Sequence, residues 1–140
     1  MHKVGDVLKV TVPYTSTGKE AKCRWFVFLG RLNFSENPRN AYLCTSTTEI
    51  EKYKNNKDST WVEFKAETSC FDEDCLLCLD EIESAFTKED YVNKYKPEDK
   101  SKITDEKLKE IAKKIKKADL APKIIKDILD SFRLDEIPTV

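Results

Sequence analysis

Arg24 and a run of four hydroxyl residues, residues 45–48, are the side chains of this sequence best suited to bind a phosphate group. Arg24 stands near the start of an apolar, β-prone run at residues 22–30, and the hydroxyls end a second such run at residues 40–48. If the two runs pair as antiparallel strands, the start of one lies beside the end of the other. A guanidinium beside hydroxyl donors can bind phosphate without a metal. The alternative, a strand-end charge next to a solvated turn, stays open at this point.

The type and spacing of the other polar residues give little support for metal binding or for histidine-based acid–base catalysis. Cys75 and Cys78 are three residues apart in a predicted strand, so their side chains point to opposite faces and do not form a zinc site with Cys70. The acidic residues between 72 and 83 lack the spacing and glycine of a calcium loop. His2 is the only histidine, which excludes mechanisms built on a histidine base. We therefore expect no metal and no cofactor.

Composition predicts one soluble domain. The chain has 140 residues, of which 39% are hydrophobic, enough to bury a core of its own. Its longest apolar runs have strand length, well short of the roughly 20 residues that span a bilayer, and its first residues lack a signal-peptide core. We expect a cytoplasmic protein with no membrane partner. Five cysteines, an odd number, predict free thiols instead of a disulfide framework.

The order of the predicted elements is strands first and helices last. Alternating or continuous apolar patterns predict about five strands at residues 4–14, 22–30, 40–48, 60–65 and 75–86, with a solvated loop at residues 49–58. In the strand at residues 60–65, either Trp61 or the pair Val62 and Phe64 faces the core.

The pattern then changes to helical spacing, with a short helix over residues 88–95, a second capped by Thr104 and a third that begins near Pro122. The apolar stripe predicted for the second helix is Leu108, Ile111, Ala112 and Ile115, and that predicted for the third is Ile125, Ile128, Leu129 and Phe132. Residues 135–140 are expected to fray. The predicted fold is mainly β with C-terminal helices (α+β), a small antiparallel barrel at about residues 3–86 and a helical tail at about 87–134, in one domain over residues 1–140.

The net charge of −1 sets a limit on any nucleic-acid function. A protein that grips long duplex DNA usually carries a stronger basic excess. A nucleic-acid partner of this chain must therefore meet a local basic face, and a short single strand suits such a face best.

The order of these motifs resembles the MazF/PemK family of toxin endoribonucleases, whose small SH3-like barrel is shared with the gyrase-poisoning CcdB toxins. The resemblance rests on residues 4–8, on Arg24 opening an apolar strand, on Leu43-Cys44 running into Thr47-Thr48, and on the turn and strand at residues 70–84. It covers about residues 3–118, and the segment at residues 104–118 is similar to the family's C-terminal helix. The sequence departs from the family at Trp25, where proline is usual, at Cys70 and Cys75, which replace glycine and serine, and at Glu83, which replaces a commonly basic residue.

The resemblance implies a metal-independent endoribonuclease that cuts single-stranded RNA at short sequences through attack by the RNA's own 2′-OH. Carried over, the cleavage site falls on Arg24 and on Thr47 or Thr48: a gapless match favours Thr48 and the hydroxyl pair favours Thr47. We predict that the substrate is bound by Lys19, Lys22, Trp25 and Ser46. Trp25 and Tyr42 are the candidates for stacking on bases, with core packing as the alternative for at least one of them. The family further implies a homodimer and an antitoxin protein that covers the groove. The alternative is a binding module on the same barrel, either a gyrase-poison analogue or a catalytically silent relative.

Overall fold

The chain folds into one curled antiparallel sheet with helices packed against it. A computed structural model describes residues 3–12, 22–32, 39–56, 59–69, 71, 73–84 and 98–137. The strands are β1 (Asp6–Val12), β2 (Lys22–Leu32), β3 (Arg39–Thr47), β4 (Trp61–Phe64), β5 (Cys75–Ser84) and β6 (Glu98–Lys102). The helices are α1 (Ile50–Lys54), α2 (Asp105–Ile115) and α3 (Pro122–Leu134), with a 3₁₀ turn at Ala66–Thr68.

The predicted α+β architecture, an antiparallel sheet with C-terminal helices, is confirmed, but the sheet is a curled half-barrel and does not close into the predicted barrel. Its strand order is β4-β5-β3-β2-β1-β6, in which β4 and β6 form the two edges and do not pair with each other. One edge is covered by α2, because the Nζ atoms of Lys107 and Lys114 donate hydrogen bonds to the carbonyl oxygens of Glu63 (2.8 Å) and Trp61 (2.9 Å). These ammonium groups occupy acceptors on β4 that a further strand would need for closure.

The described residues form six strands instead of the predicted five, because β6 lies in the predicted helical tail, between the first and second predicted helices. Its sequence, EDKSK, contains no apolar residue, so hydrophobic alternation gives no signal there. It is held in the sheet by its backbone, which pairs with β1 from Asp6–Lys102 to Lys9–Glu98. The residues 49–58, predicted to form a loop, contain the short helix α1. The helix predicted over residues 88–95 lies outside the described residues.

The core lies between one face of the sheet and the helices α2 and α3. The N-cap of α2 is Thr104, as predicted, and its side chain accepts a hydrogen bond from the amide of Lys107 at 3.3 Å. The predicted apolar stripe of α2 is confirmed, since the following residues are all buried: Leu108, Ile111, Ala112 and Ile115. Of the two alternating faces of β4, the face with Val62 and Phe64 is buried in the core, while Trp61 on the other face is half-buried.

α3 is tied to the sheet by polar groups that its apolar pattern did not predict. Ile128 and Phe132 are buried as expected, but so are Asp127 and Ser131. The Tyr42 hydroxyl donates to Asp127 at 2.9 Å, and Ser131 Oγ accepts from the Arg31 amide at 2.9 Å. The sequence pattern had instead placed Ile125 and Leu129 in the stripe, and both are only half-buried.

Close approach of α3 to β2 depends on Gly30. A Cβ at this position would lie 2.9 Å from Ser131 Oγ and 3.2 Å from the Ile128 Cα, distances too short for an ordinary contact. The absence of a side chain at Gly30 therefore lets the helix backbone approach the strand.

The predicted fraying of the C-terminus is wrong as far as Ile137. The Asp135 carboxylate accepts hydrogen bonds from the Arg31 guanidinium at 2.6 and 3.1 Å and from the Val4 amide at 2.8 Å. The Ile137 amide donates to the Phe132 carbonyl at 2.8 Å. A carboxylate just past the end of α3 thus joins the helix to β2 and to the residues before β1.

Candidate functional site

The end of β3 lies beside the first half of β2. The two strands pair antiparallel, and the pairing runs through Phe28–Leu43 and Val27–Cys44 to Phe26–Thr45. Beyond this pair the Ser46 hydroxyl donates to the Trp25 carbonyl at 3.0 Å. Arg24 immediately precedes Trp25 in β2, so the backbone of Arg24 lies at the same end of the strand pair as residues 46–48. The antiparallel pairing on which the sequence hypothesis depended is confirmed.

The remaining basic residues of the predicted site are described less fully. The backbones of Lys22 and Arg24 lie in β2, where they pair with Val12 and Val10 of β1. The side chains of Lys22 and Arg24, and the whole of Lys19, lie outside the described part of the chain. Their assignment as phosphate-binding groups stays a prediction.

The three hydroxyls at the end of β3 differ in what they already bind. Ser46 is committed to the Trp25 carbonyl, and Thr47 Oγ1 accepts a hydrogen bond from the Glu49 amide at 3.1 Å, which shapes the turn into α1. Thr48 is exposed and lines a groove between α1 and β4. Because the amide uses only an acceptor of Thr47, both threonines keep a hydroxyl hydrogen with which to donate to a phosphate oxygen.

The groove beside Thr48 is lined by charged side chains of both signs. Its lining residues beyond Thr48 come from α1, its N-terminal flank and β4: Glu49, Ile50, Glu51, Lys52, Lys54, Glu63 and Lys65. Glu63 stands between two ammonium groups, 3.1 Å from Lys54 and 3.1 Å from Lys65. Hydrogen bonds from Lys54 and then from Lys65 lower the pKa of Glu63, so its carboxylate is ionised at neutral pH and is a weak base.

Trp25, predicted to bind substrate, is half-buried. Its ring packs against the core and meets the ring of Phe71 edge-on, with centroids 6.1 Å apart. Tyr42, the other aromatic residue considered for base stacking, is buried, and its hydroxyl binds Asp127. Burial and then the Asp127 hydrogen bond raise the pKa of Tyr42 to about 12. Tyr42 is therefore a core residue, while Trp25 keeps an exposed part.

Sequence reasoning did not single out Trp61 as part of a site. The Nζ atoms of Lys54 and Lys114 lie 4.8 and 5.0 Å from its ring centroid, so α1 and α2 both place a cation over the same indole. The alternation of β4 left open whether Trp61 faces the core. Its place in the alternating run, out of phase with Val62 and Phe64, is the sequence signal that could have marked it as facing away from the core.

Three cysteines are buried free thiols, as predicted: Cys44, Cys75 and Cys78. The side chains of Cys23 and Cys70 lie outside the described residues. Burial raises the pKa of Cys78 to about 12 and that of Cys44 well above its ordinary value, so neither thiol is a ready nucleophile. Among the described residues, no three histidine, cysteine or acidic side chains come close enough together to hold a metal ion.

Comparison of the sequence with protein-family models finds no matching family, and comparison with curated proteins finds no match. A curled antiparallel sheet is an architecture on which many functions occur, so the fold by itself does not define the activity. None of the helices in the described ranges is long and apolar enough to cross a bilayer.

Proposed function

We propose that this chain is a metal-independent endoribonuclease toxin that cuts single-stranded RNA at short sequences. The observation that supports the proposal best is the pairing of β2 with β3, which brings the start of β2 alongside the hydroxyls that end β3. The resemblance to the MazF/PemK toxins adds the substrate class, a cytoplasmic location, a homodimer and an antitoxin partner as further parts of the proposal.

The proposed reaction uses a nucleophile that belongs to the substrate. The 2′-OH of a ribose gives its proton to solvent water, and its oxygen forms a bond to the adjacent phosphorus. At the same time the bond from phosphorus to the 5′ oxygen of the next nucleotide breaks, and that oxygen takes up a proton from solvent. The products are a 2′,3′-cyclic phosphate and a 5′-hydroxyl end. In this scheme Arg24 stabilises the negative charge that develops on the phosphoryl oxygens, and Thr48 or Thr47 orients the phosphate through its hydroxyl.

The two threonines are not equivalent in this proposal. Thr48 is exposed in the groove, whereas Thr47 also anchors the Glu49 amide. Glu63 is held ionised by two lysines, which makes it an unsuitable proton donor at neutral pH. We therefore assign the principal phosphate contact to Thr48 and a local structural contact to Thr47.

A second candidate is an RNA-binding module without cleavage. The charges of the groove favour it over cleavage, because the three acidic side chains of the lining balance its three lysines. A groove without net positive charge gives little stabilisation to the charge that develops in the transition state, which cleavage needs and binding does not.

The experiment that separates the two candidates is incubation of purified protein with a mixed single-stranded RNA in the presence of EDTA. The endoribonuclease proposal predicts cleavage that survives EDTA and leaves 2′,3′-cyclic phosphate ends. A matched strand with 2′-deoxy sugars should stay intact, because it lacks the attacking oxygen. Products with 5′-phosphate ends, or a strict magnesium requirement, would contradict the mechanism. Binding of RNA without any cleavage would select the binding module.

A further inference from the structure

The strongest concentration of positive charge in the sequence lies on α2, the turn after it and the start of α3. Residues 107–126, here called the lysine elbow, contain eight lysines and two acidic residues, in a protein whose 25 basic and 26 acidic side chains almost cancel. A concentration of one sign of charge in one segment creates a local potential that the net charge hides.

Most of these lysines extend into solvent. Six of the eight are exposed: Lys109, Lys113, Lys116, Lys117, Lys123 and Lys126. The other two, Lys107 and Lys114, are half-buried, bind carbonyl oxygens of β4 and pair with Glu110. Within the described ranges no carboxylate forms an ion pair with Lys109, Lys113 or Lys117. These ammonium groups keep their full charge for a partner outside the protein fold.

The exposed lysines follow helical spacing. Lys109 and Lys113 are four residues apart on α2, so they lie on one side of the helix about 6 Å apart along its axis. Glu106 and Glu110 precede these two lysines by three residues and reduce their mutual repulsion, but neither carboxylate forms an ion pair with them. A row of cations without ion-pair partners matches the repeating charge of a polyanion.

Contacts to Trp61 connect the lysine elbow to the groove beside Thr48. Lys114 of α2 and Lys54 of α1 both lie over the Trp61 ring, and Lys54 also lines the groove. Glu63 of the same groove accepts a hydrogen bond from Lys107 through its carbonyl. The start of the lysine elbow is therefore in direct contact with the wall of the candidate site.

The exposed surface of the lysine elbow lacks the apolar part that a membrane-bound helix needs. A helix that lies on a membrane presents an apolar face beside its basic one. The apolar face of α2 is buried in the core, with Ile111 and Ile115 fully covered. Among the described residues Leu134 is the one large exposed hydrophobic side chain, and it lies at the other end of α3. A soluble, phosphate-rich partner fits this surface better than a lipid surface.

We infer that the lysine elbow binds the phosphate backbone of a single-stranded RNA beyond the nucleotides held at the β2–β3 site. The inference takes its substrate from the proposed function and adds a second contact region for the same strand. Binding there depends on salt and not on base sequence, because ammonium groups contact phosphates without reading bases.

The test compares RNA binding by two triple variants with equal charge loss. One carries Lys109→Gln, Lys113→Gln and Lys117→Gln, and its control carries Lys3→Gln, Lys102→Gln and Arg133→Gln, three exposed cations outside the lysine elbow. Glutamine keeps helix propensity close to that of lysine. The probe is a fluorescent single-stranded RNA of about 12 nucleotides with 2′-O-methyl sugars, which cannot be cleaved by 2′-OH attack.

The inference predicts that the elbow variant binds this RNA at least about 10-fold more weakly than wild type near 50 mM salt. The slope of log affinity against log salt should fall by roughly 0.7 for each lost phosphate contact, or about 2 in total. The control should change both quantities much less. Circular dichroism checks that all three proteins fold. Equal weakening in both variants, or no weakening in the elbow variant, would overturn the inference, because net charge or other residues would then explain binding.

Two further outcomes separate this inference from the proposed function. If wild type binds the probe through the lysine elbow but leaves unmodified RNA intact, the elbow stands and the endoribonuclease proposal fails. If wild type cleaves RNA and the elbow variant binds and cleaves equally well, the elbow fails and the cleavage proposal stands. Binding to phosphatidylserine vesicles without binding to RNA would also overturn the inference and assign the lysines to a lipid surface.

Discussion

Two groups of polar side chains lie on the same sheet and have opposite surroundings. Where α3 packs on β2 and β3, the polar groups are paired with each other: Tyr42 with Asp127, Arg31 with Asp135, and Ser131 with the backbone of Arg31. At the end of β3, Thr48 is exposed and the groove beside it carries charged side chains. Polar residues of similar type thus hold the fold in one place and face solvent in the other.

The difference shows which polar residues are candidates for function. A buried polar group whose hydrogen bonds are complete within the fold has no capacity left for a ligand, and its removal lowers the free energy of unfolding. A solvated hydroxyl or cation at a strand end contributes little to stability, so its removal should instead lower RNA affinity or the cleavage rate. The α3 contact and the β2–β3 site should therefore respond to mutation in separable ways.

The largest expected effect is the loss of cleavage on Arg24→Ala. Arg24 is proposed to stabilise charge in the transition state, and removal of one such preorganised donor costs roughly 10²- to 10³-fold in rate. Truncation of a side chain near a strand end should cost under about 1 kcal/mol of stability. Cleavage rates and thermal melting of wild type and variant measure both effects.

Arg24→Lys is the matched control, because it keeps the charge but not the two-pronged geometry of the guanidinium. We expect it to restore cleavage poorly. Full activity in Arg24→Ala would remove Arg24 from the site. A parallel loss of folding and cleavage would make Arg24 a structural residue. The β2–β3 site would then respond to mutation in the same way as the α3 contact.

Gly30→Ala should act in the opposite way to Arg24→Ala: it should lower stability and leave the cleavage rate of the folded protein unchanged. The added Cβ would meet Ser131 Oγ and the Ile128 backbone, so α3 must move from β2. Overpacking of this kind costs about 1–3 kcal/mol, and the melting temperature should fall while cleavage per folded molecule stays unchanged. Leu134→Ala is the control on the same helix, since Leu134 is 58% exposed and its truncation should change stability by less than about 0.5 kcal/mol. An unchanged melting temperature in Gly30→Ala would show that the contact is not tight.

Thr48→Ala and Thr47→Ala test the site at the level of single hydroxyls. Loss of one hydrogen bond to the phosphate should slow cleavage by about 3- to 10-fold, and we expect this effect in Thr48→Ala. Thr47→Ala removes the acceptor of the Glu49 amide, so its main effect should be on the turn into α1. Serine at either position keeps the hydroxyl and is the conservative control. A larger rate loss in Thr47→Ala than in Thr48→Ala would reverse our assignment.

The sequence predicted the elements with strong apolar periodicity and missed those held by backbone or buried polar contacts. The stripe of α2 and the Thr104 cap follow directly from spacing and residue type. β6 is wholly polar and joins the sheet through its backbone, so no pattern revealed it. Asp127 and Ser131 look like solvent-facing residues of a helix until their partners on β2 and β3, almost a hundred residues earlier, are known.

The candidate site was predictable only in part, for a related reason. Two β-prone runs with a short connection predict an antiparallel pair, and this pairing placed Arg24 and residues 46–48 at one end. The sequence did not show that Ser46 and Thr47 bind backbone groups, or that Glu63 lies between two lysines. Those contacts depend on the turn geometry and on the position of β4, which residue spacing along β3 does not encode.

The smallest expected effect concerns Asp135, the carboxylate that joins α3 to β2. Burial alone would raise its pKa, but hydrogen bonds from Arg31 and the Val4 amide outweigh burial and lower the pKa below its ordinary value. A carboxyl whose pKa is lowered by folding stabilises the fold above its unfolded pKa, and this stabilisation is lost as the pH falls through the folded pKa. Asp135→Asn keeps the shape and replaces charge-assisted hydrogen bonds by neutral ones, so it should cost about 1 kcal/mol at pH 7.

The measurement is urea unfolding of wild type and Asp135→Asn at pH 7 and at successively lower pH. The two proteins should differ at pH 7, and the difference should shrink as the pH falls below about 4, because the unfolded wild-type carboxyl then binds a proton that the folded one, with its lowered pKa, binds only at lower pH. Asp130→Asn is the control, because Asp130 pairs with the exposed Arg133 on the same helix and such surface pairs contribute little. Stability curves that stay parallel down to the lowest pH would show that the Arg31–Asp135 pair does not stabilise the folded state. The α3 contact would then depend on apolar packing around Gly30 instead of on its polar groups.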